Sequence, residues 1–148
     1  MEIDVRLATA HDRTALEEFY SREGIRFHDL SSQNTLLTQG ATKETMYVVA
    51  VAGDLVVASL KLDVKKDPSL GLVGHIQHFE IEDALEETIL GTRMLQKIAK
   101  IAEEKGLRAL DTIVSEKRAD IIQIYLSSGF KENHKKVHLR KDFRPRLF

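Results

Sequence analysis

Residues 75–114 read HIQHFEIEDALEETILGTRMLQKIAKIAEEKGLRALDTIV, and the fold turns on how this run divides. Together with Leu72-Val73-Gly74, its first residues alternate as a strand does. That places His75, Gln77, Phe79 and Ile81 on one face and Ile76, His78 and Glu80 on the other. Further on, Leu90, Met94, Leu95, Ile98, Ile101 and Ala102 recur with a period near 3.6, which predicts an amphipathic helix, and Gly106 after Lys105 suits its C-terminal stop. LRALDTIV, residues 107–114, is short, apolar and β-branched at its end. It reads as a buried strand beside the first, reached through a helical crossover.

The pattern extends in both directions. IDVRLA, residues 3–8, alternates Ile3, Val5 and Leu7 with charged partners, and residues 10–24 follow with helical spacing at Ala15, Leu16, Phe19 and Tyr20 before Gly24. Residues 29–40 open with capping side chains and end in Gly40, which suits a second short helix. MYVVAVAGDLVVASLKLDV, residues 46–64, holds two β-rich runs around Gly53-Asp54, the sequence of a tight antiparallel hairpin. The polar residues 63–71 read as a loop, residues 116–130 as a helix closed by Gly129, and KKVHLRKDF, residues 135–143, as a last strand. The expectation is an α/β (α+β) domain over 1–148, with a mixed, mainly antiparallel sheet of six to seven strands and helices on both faces.

A chain of 148 residues without an internal linker suits one domain, large enough to bury roughly 70% of the surface its unfolded form exposes. The absence of cysteine excludes disulfides, thiolate nucleophiles and zinc–sulfur sites, and points to a cytoplasmic setting. The start is charged at positions 2, 4 and 6, which speaks against a leader or a membrane segment. A net charge of −1 speaks against nucleic acid as a partner of the whole surface. Charge is nonetheless uneven: residues 80–87 hold five acids and no base, and residues 131–148 hold seven Lys or Arg against two acids. His75 and His78 fall on opposite strand faces, and no cysteine or aspartate cluster joins them, so no metal site is expected.

The element order, the strand HIQHFEI running into the long helix, and the closing IYLSSGF of residues 124–130 resemble the GNAT superfamily of acyl-coenzyme A dependent N-acetyltransferases. The register is continuous from Gly74 to Lys131. The resemblance implies acetyl-coenzyme A as acyl donor and an amine, on a small molecule or a peptide, as acceptor. It also implies a pyrophosphate loop of the form Arg/Gln-x-x-Gly-x-Gly/Ala, which falls here on Glu86, Glu87, Thr88, Ile89, Leu90 and Gly91, with Thr92 next. Only Gly91 fits that pattern. Glu86 replaces a basic or amide residue, and a carboxylate 4–5 Å from a phosphate repels it by several kcal/mol at an effective dielectric near 20, roughly. Ile89 replaces a glycine, adding bulk where main chain would approach the ligand. The alternative to an enzyme is a non-catalytic GNAT-fold binding or regulatory module that has lost the cofactor.

Further roles are implied by the same resemblance. Tyr125 would protonate the departing thiolate, since a phenol near pKa 10 keeps its proton at neutral pH, although a core tyrosine would read the same way. His75 would take the amine's proton, directly or through a water held by Gln77. Phe79, Glu80 and Ile81 would pair through their main chain with the pantetheine arm, and the Ile81 N–H would polarise the thioester carbonyl. Arg118 stands where many relatives carry a cofactor-binding Asn. Acceptor choice would come from the first helices and from residues 63–74 and 131–148. The last strand could also pair with a second copy as a homodimer edge, or its charges could guard that edge against pairing.

Overall fold

The computed structural model describes residues 2–26, 42–83 and 87–132. The expected second helix at 29–40 and last strand at 135–143 lie outside these residues. The described chain runs β1 (Asp4–Leu7), a 3-10 turn (Ala10–Asp12), α1 (Arg13–Arg22), β2 (Thr42–Ala52), β3 (Leu55–Asp67), β4 (Gly71–Ile81), α2 (Glu87–Lys105), β5 (Leu110–Thr112) and α3 (Ala119–Ser127). The five described strands form one sheet in the order β1-β2-β3-β4-β5. Pairing is antiparallel through β4 and parallel between β4 and β5, because the α2 crossover returns the chain in the same direction. The sheet is thus mixed and mainly antiparallel, with five strands among the described residues where six to seven were expected.

The β2–β3 hairpin closes where the sequence places it. Ala52 pairs with Leu55 around Gly53-Asp54, and Gly53 takes φ +62°, a conformation glycine adopts without steric cost. Alternate residues of β2 serve two clusters. Val48 and Ala50 pack with Leu90, Met94, Leu95 and Ile98 of α2 and with Ile121, Ile124 and Tyr125 of α3. Val49 packs with Leu16, Phe19 and Tyr20 of α1 and with Val56. All six stripe residues of α2 are buried. α2 approaches its neighbours closely because Gly91 has no side chain: a Cβ there would stand 3.0 Å from Ile124 and 3.3 Å from Ile81.

Residues 63–67 correct the loop reading. They continue β3, and the turn to β4 occupies only Pro68 to Leu70. Leu60, Leu62 and Val64 feed the α2 and α3 cluster, whereas Ser59, Lys61, Asp63 and Lys65 form the other face. That second face is polar yet buried, which is why its charges read as a solvated loop. Burial requires partners. Asp63 accepts a hydrogen bond from Thr45 at 2.7 Å and lies 3.5 Å from the Lys61 ammonium.

At the start of α1, Asp12 accepts from both terminal nitrogens of Arg6, at 2.6 and 2.8 Å, and from the Thr9 main-chain N–H at 2.7 Å. These contacts favour the charged carboxylate, the Arg6 hydrogen bonds most, and hold Asp12 well below the usual carboxylate range. A carboxyl depressed on folding stabilises the native state above its unfolded value near 3.9, and loses that contribution as pH falls. Asp12→Asn is therefore expected to be less stable than the native chain at pH 7. The gap should narrow as urea denaturation is repeated at pH values below about 4.

Candidate active site

β5 accompanies β4 for only three residue pairs: Gly74 with Leu110, His75 with Asp111 and Ile76 with Thr112. Beyond Ile76 the two strands part. A cavity of about 370 Å3 opens between them, lined by β4 from His75 to Glu80, by residues 112–115, and by Arg118, Ile121 and Tyr125. The parting coincides with a bulge. Lys61 pairs with Gln77 and Ser59 with Glu80, so β3 spends one residue, Leu60, where β4 spends two, His78 and Phe79. His78 takes φ +51°, the only positive φ of a non-glycine residue among those described.

The bulge shifts the phase of β4 and corrects the expected faces. Phe79 and Ile81 join Ile76 in the α2 and α3 cluster, while His75, Gln77 and Glu80 fall opposite Asp63, Lys61 and Ser59. Glu82 donates its N–H to Val57, toward β3. By alternation from Glu82 the N–H and C=O of Ile81 point away from β3, toward the edge that β5 has already left, and the Phe79 carbonyl faces the cleft. Arg118, the residue preceding α3, reaches across and donates to the Phe79 carbonyl at 3.4 Å and to the Glu80 carboxylate at 3.0 Å.

Tyr125 stands on α3 in the cavity wall, its ring edge-to-face with Phe79 at 5.7 Å and Phe130 at 5.0 Å. Burial raises its phenol well above the ordinary value, opposed only in part by the Thr112 hydroxyl and the Arg118 charge. It is therefore a protonated phenol throughout the neutral range. His75 is buried at the foot of the cleft, its Nδ1 2.5 Å from Asp111 on β5. On two of the lining residues a polar atom, Gln77 Oε1 and His78 Nε2, is buried without a hydrogen-bond partner. Such atoms mark places built for a ligand or water.

Other sequence candidates lie apart from this lining. Ile89 projects into solvent at 65% exposure, and Thr88 is exposed, its carbonyl accepting from the Thr92 hydroxyl at 2.7 Å. Leu90 is core and Gly91 is a close-packing position. Arg93 donates to the Ile3 carbonyl at 3.0 Å. Glu86 lies outside the described residues, as does the side chain of Glu87. Sequence reasoning missed Asp111 and Thr112; the parallel register opposite His75 and Ile76 is the signal that finds them. It also set His78 aside, because strict alternation put it on the face opposite His75 and Gln77, whereas all three line one cavity.

Among the described residues no three His, Asp or Glu side chains are grouped to hold a metal, and no helix is long and apolar enough to cross a membrane.

No family model matches the chain. A stretch of 108 residues is 30% identical to DNA-directed RNA polymerase subunit beta' of Coxiella burnetii, covering 73% of this chain and 7% of that one; the chain spans only that small fraction of the curated relatives it matches. Solved structures align over the whole chain. Aminoglycoside N-acetyltransferase AAC(6')-Iy, in complex with a bisubstrate analogue of coenzyme A and acetylneamine, superposes at a TM-score of 0.71 with 12% identity, covering 100% of both chains. Ribosomal-protein-alanine N-acetyltransferase from Brucella melitensis biovar Abortus gives 0.69 with 13% identity, covering 99% of this chain and 100% of that one. Glucosamine-6-phosphate N-acetyltransferase from Arabidopsis thaliana gives 0.68 with 12% identity and 100% coverage of both. With its mixed sheet, its parted β4 and β5 and these neighbours, the chain has the fold of the GNAT N-acetyltransferases.

Proposed function

We propose that the cleft between β4 and β5 binds acetyl-coenzyme A and that the protein transfers its acetyl group to an amine of a small molecule or peptide. The observation that carries this reading is the parting of β4 from β5 beyond Ile76, which leaves main-chain edge groups facing a cavity with Tyr125 in its wall. The residues fit the ligand. An unpaired strand edge is what the amides of a pantetheine arm require. Coenzyme A or its analogue accompanies structural neighbours of this chain, and an aminoglycoside amine and glucosamine 6-phosphate stand in their names.

When bound, acetyl-coenzyme A supplies a thioester carbonyl open to attack by an amine. Phe79 and Ile81 would hold the pantetheine arm through their main chain, at the carbonyl that Arg118 now reaches. The Ile81 N–H would be the donor for the carbonyl oxygen. Tyr125 carries the proton needed by the leaving sulfur. Gln77, with a free buried carbonyl oxygen, orients a water or the amine. His75, tied to Asp111, fixes the foot of the cleft.

Isothermal titration of the native chain with acetyl-coenzyme A is expected to give one site of micromolar affinity, corresponding to about 8 kcal/mol. Absence of binding, alongside binding by a Glu86→Gln, Ile89→Gly variant, would instead identify a fold that has closed its cofactor site.

A further inference from the structure

We propose that His78 is the proton acceptor for the attacking amine, with Nε2 as the receiving atom. This rests on the acyl-transfer reading above and departs from the sequence expectation, which gave the task to His75. Three observations meet on His78. It lines the cavity. It sits in the bulge at φ +51°, a conformation that a residue bearing a Cβ adopts at a cost and keeps where the surroundings impose it. Its Nε2 is buried without a hydrogen-bond partner. His75, by contrast, has Nδ1 committed to Asp111 in the part of the sheet paired on both sides.

The surroundings keep the imidazole ready to accept. Lys61 and Asp63 of β3 face it; burial and the Lys61 ammonium favour the neutral ring, and Asp63 opposes them in smaller measure. From α1, the Tyr20 hydroxyl donates at 2.9 Å to the His78 carbonyl, and so fixes the bulge without engaging the ring. Glu80 on the same strand is held by Arg118. With its own proton on Nδ1, the neutral ring offers the Nε2 lone pair.

Proton transfers then balance. The acceptor ammonium gives one proton to His78 Nε2, and the freed nitrogen lone pair forms a bond to the thioester carbonyl carbon as the carbon–sulfur bond breaks. Sulfur takes the Tyr125 phenolic proton, and the phenolate recovers the surplus proton from the new amide nitrogen. His78 returns its proton to solvent.

The test uses the native chain labelled with 15N-histidine, with the His78 signal identified by its loss in His78→Asn. Asparagine tolerates positive φ, so that variant keeps the bulge. His78 is expected to titrate below the ordinary imidazole value of about 6.5, and its signal to move on saturation with acetyl-coenzyme A. A titration at or above about 6.5, or a signal unmoved by bound acetyl-coenzyme A, overturns the proposal. In thiol-release assays with spermidine, glucosamine and an N-terminal alanyl peptide as amines, His78→Gly is expected to lose at least about 100-fold in kcat while keeping its affinity for acetyl-coenzyme A. Added imidazole should restore part of the rate. Undiminished turnover, or a loss that imidazole does not relieve, counts against His78. A native chain that fails to bind acetyl-coenzyme A overturns the acyl-transfer reading itself, a result distinct from any of these.

Discussion

Replacing Tyr125 by phenylalanine is expected to lower kcat about 100-fold, the size of a positioned acid's contribution, while the dissociation constant for acetyl-coenzyme A changes less than about twofold. The two readouts separate because the phenol meets the leaving sulfur only as the thioester breaks, whereas the strand edge holds the ligand from the start. The ring itself must stay. It packs against Phe79 and Phe130, so phenylalanine keeps those contacts and removes only the hydroxyl. Since burial raises the Tyr125 phenol, loss of activity through its ionisation is expected only above about pH 10, in the native chain alone. Steady-state kinetics on an accepted amine measure both effects. Equal kcat values would return Tyr125 to the role of a core tyrosine.

The second large effect is on stability. Asp63→Ala is expected to cost about 1–3 kcal/mol in urea unfolding, because it takes a carboxylate from beside the buried Lys61 ammonium and the acceptor from Thr45. Lys61 and Asp63 are 2% and 1% exposed, so water does not take the place of the carboxylate. A double variant, Lys61→Met with Asp63→Leu, removes both charges and is expected to recover most of the loss. A cost for the double variant equal to that of Asp63→Ala would mean that the pair is not what holds this face. The face matters to function as well as to folding, since it lies behind Gln77 and His78 and sets the charge around the proposed base.

How much of this was legible in the sequence depended on whether a side chain or the backbone carries the signal. The α2 stripe from Leu90 to Ala102 is a side-chain pattern, and it marked the core residues correctly. Gly53-Asp54 likewise announced its turn through conformational demand. The bulge at His78 left no such mark: no Gly or Asn stands at the positive-φ position, so alternation carried past Gln77 gives the wrong phase. Residues 63–67 failed for the opposite reason. Their polarity is real, but Asp63 and Lys65 belong to a buried strand face on which Asp63 pairs with Lys61, and composition reads charge as solvent exposure. Tyr125, Gln77 and His75, named from the family resemblance, line one cavity. Asp111 escaped because it sits singly within an apolar run and gains meaning only from the register that sets it beside His75.

The central claim is that the gap between β4 and β5 is a coenzyme A site. It is tested most directly by following the backbone amides of the 15N-labelled protein as acetyl-coenzyme A is added. The account predicts saturable shifts at Phe79, Glu80 and Ile81 and across residues 112–115, with the Tyr125→Phe variant showing the same map. No shifts, or shifts confined to the separate hollow lined by Arg6, Asp12, Glu18 and Asp54, would contradict it.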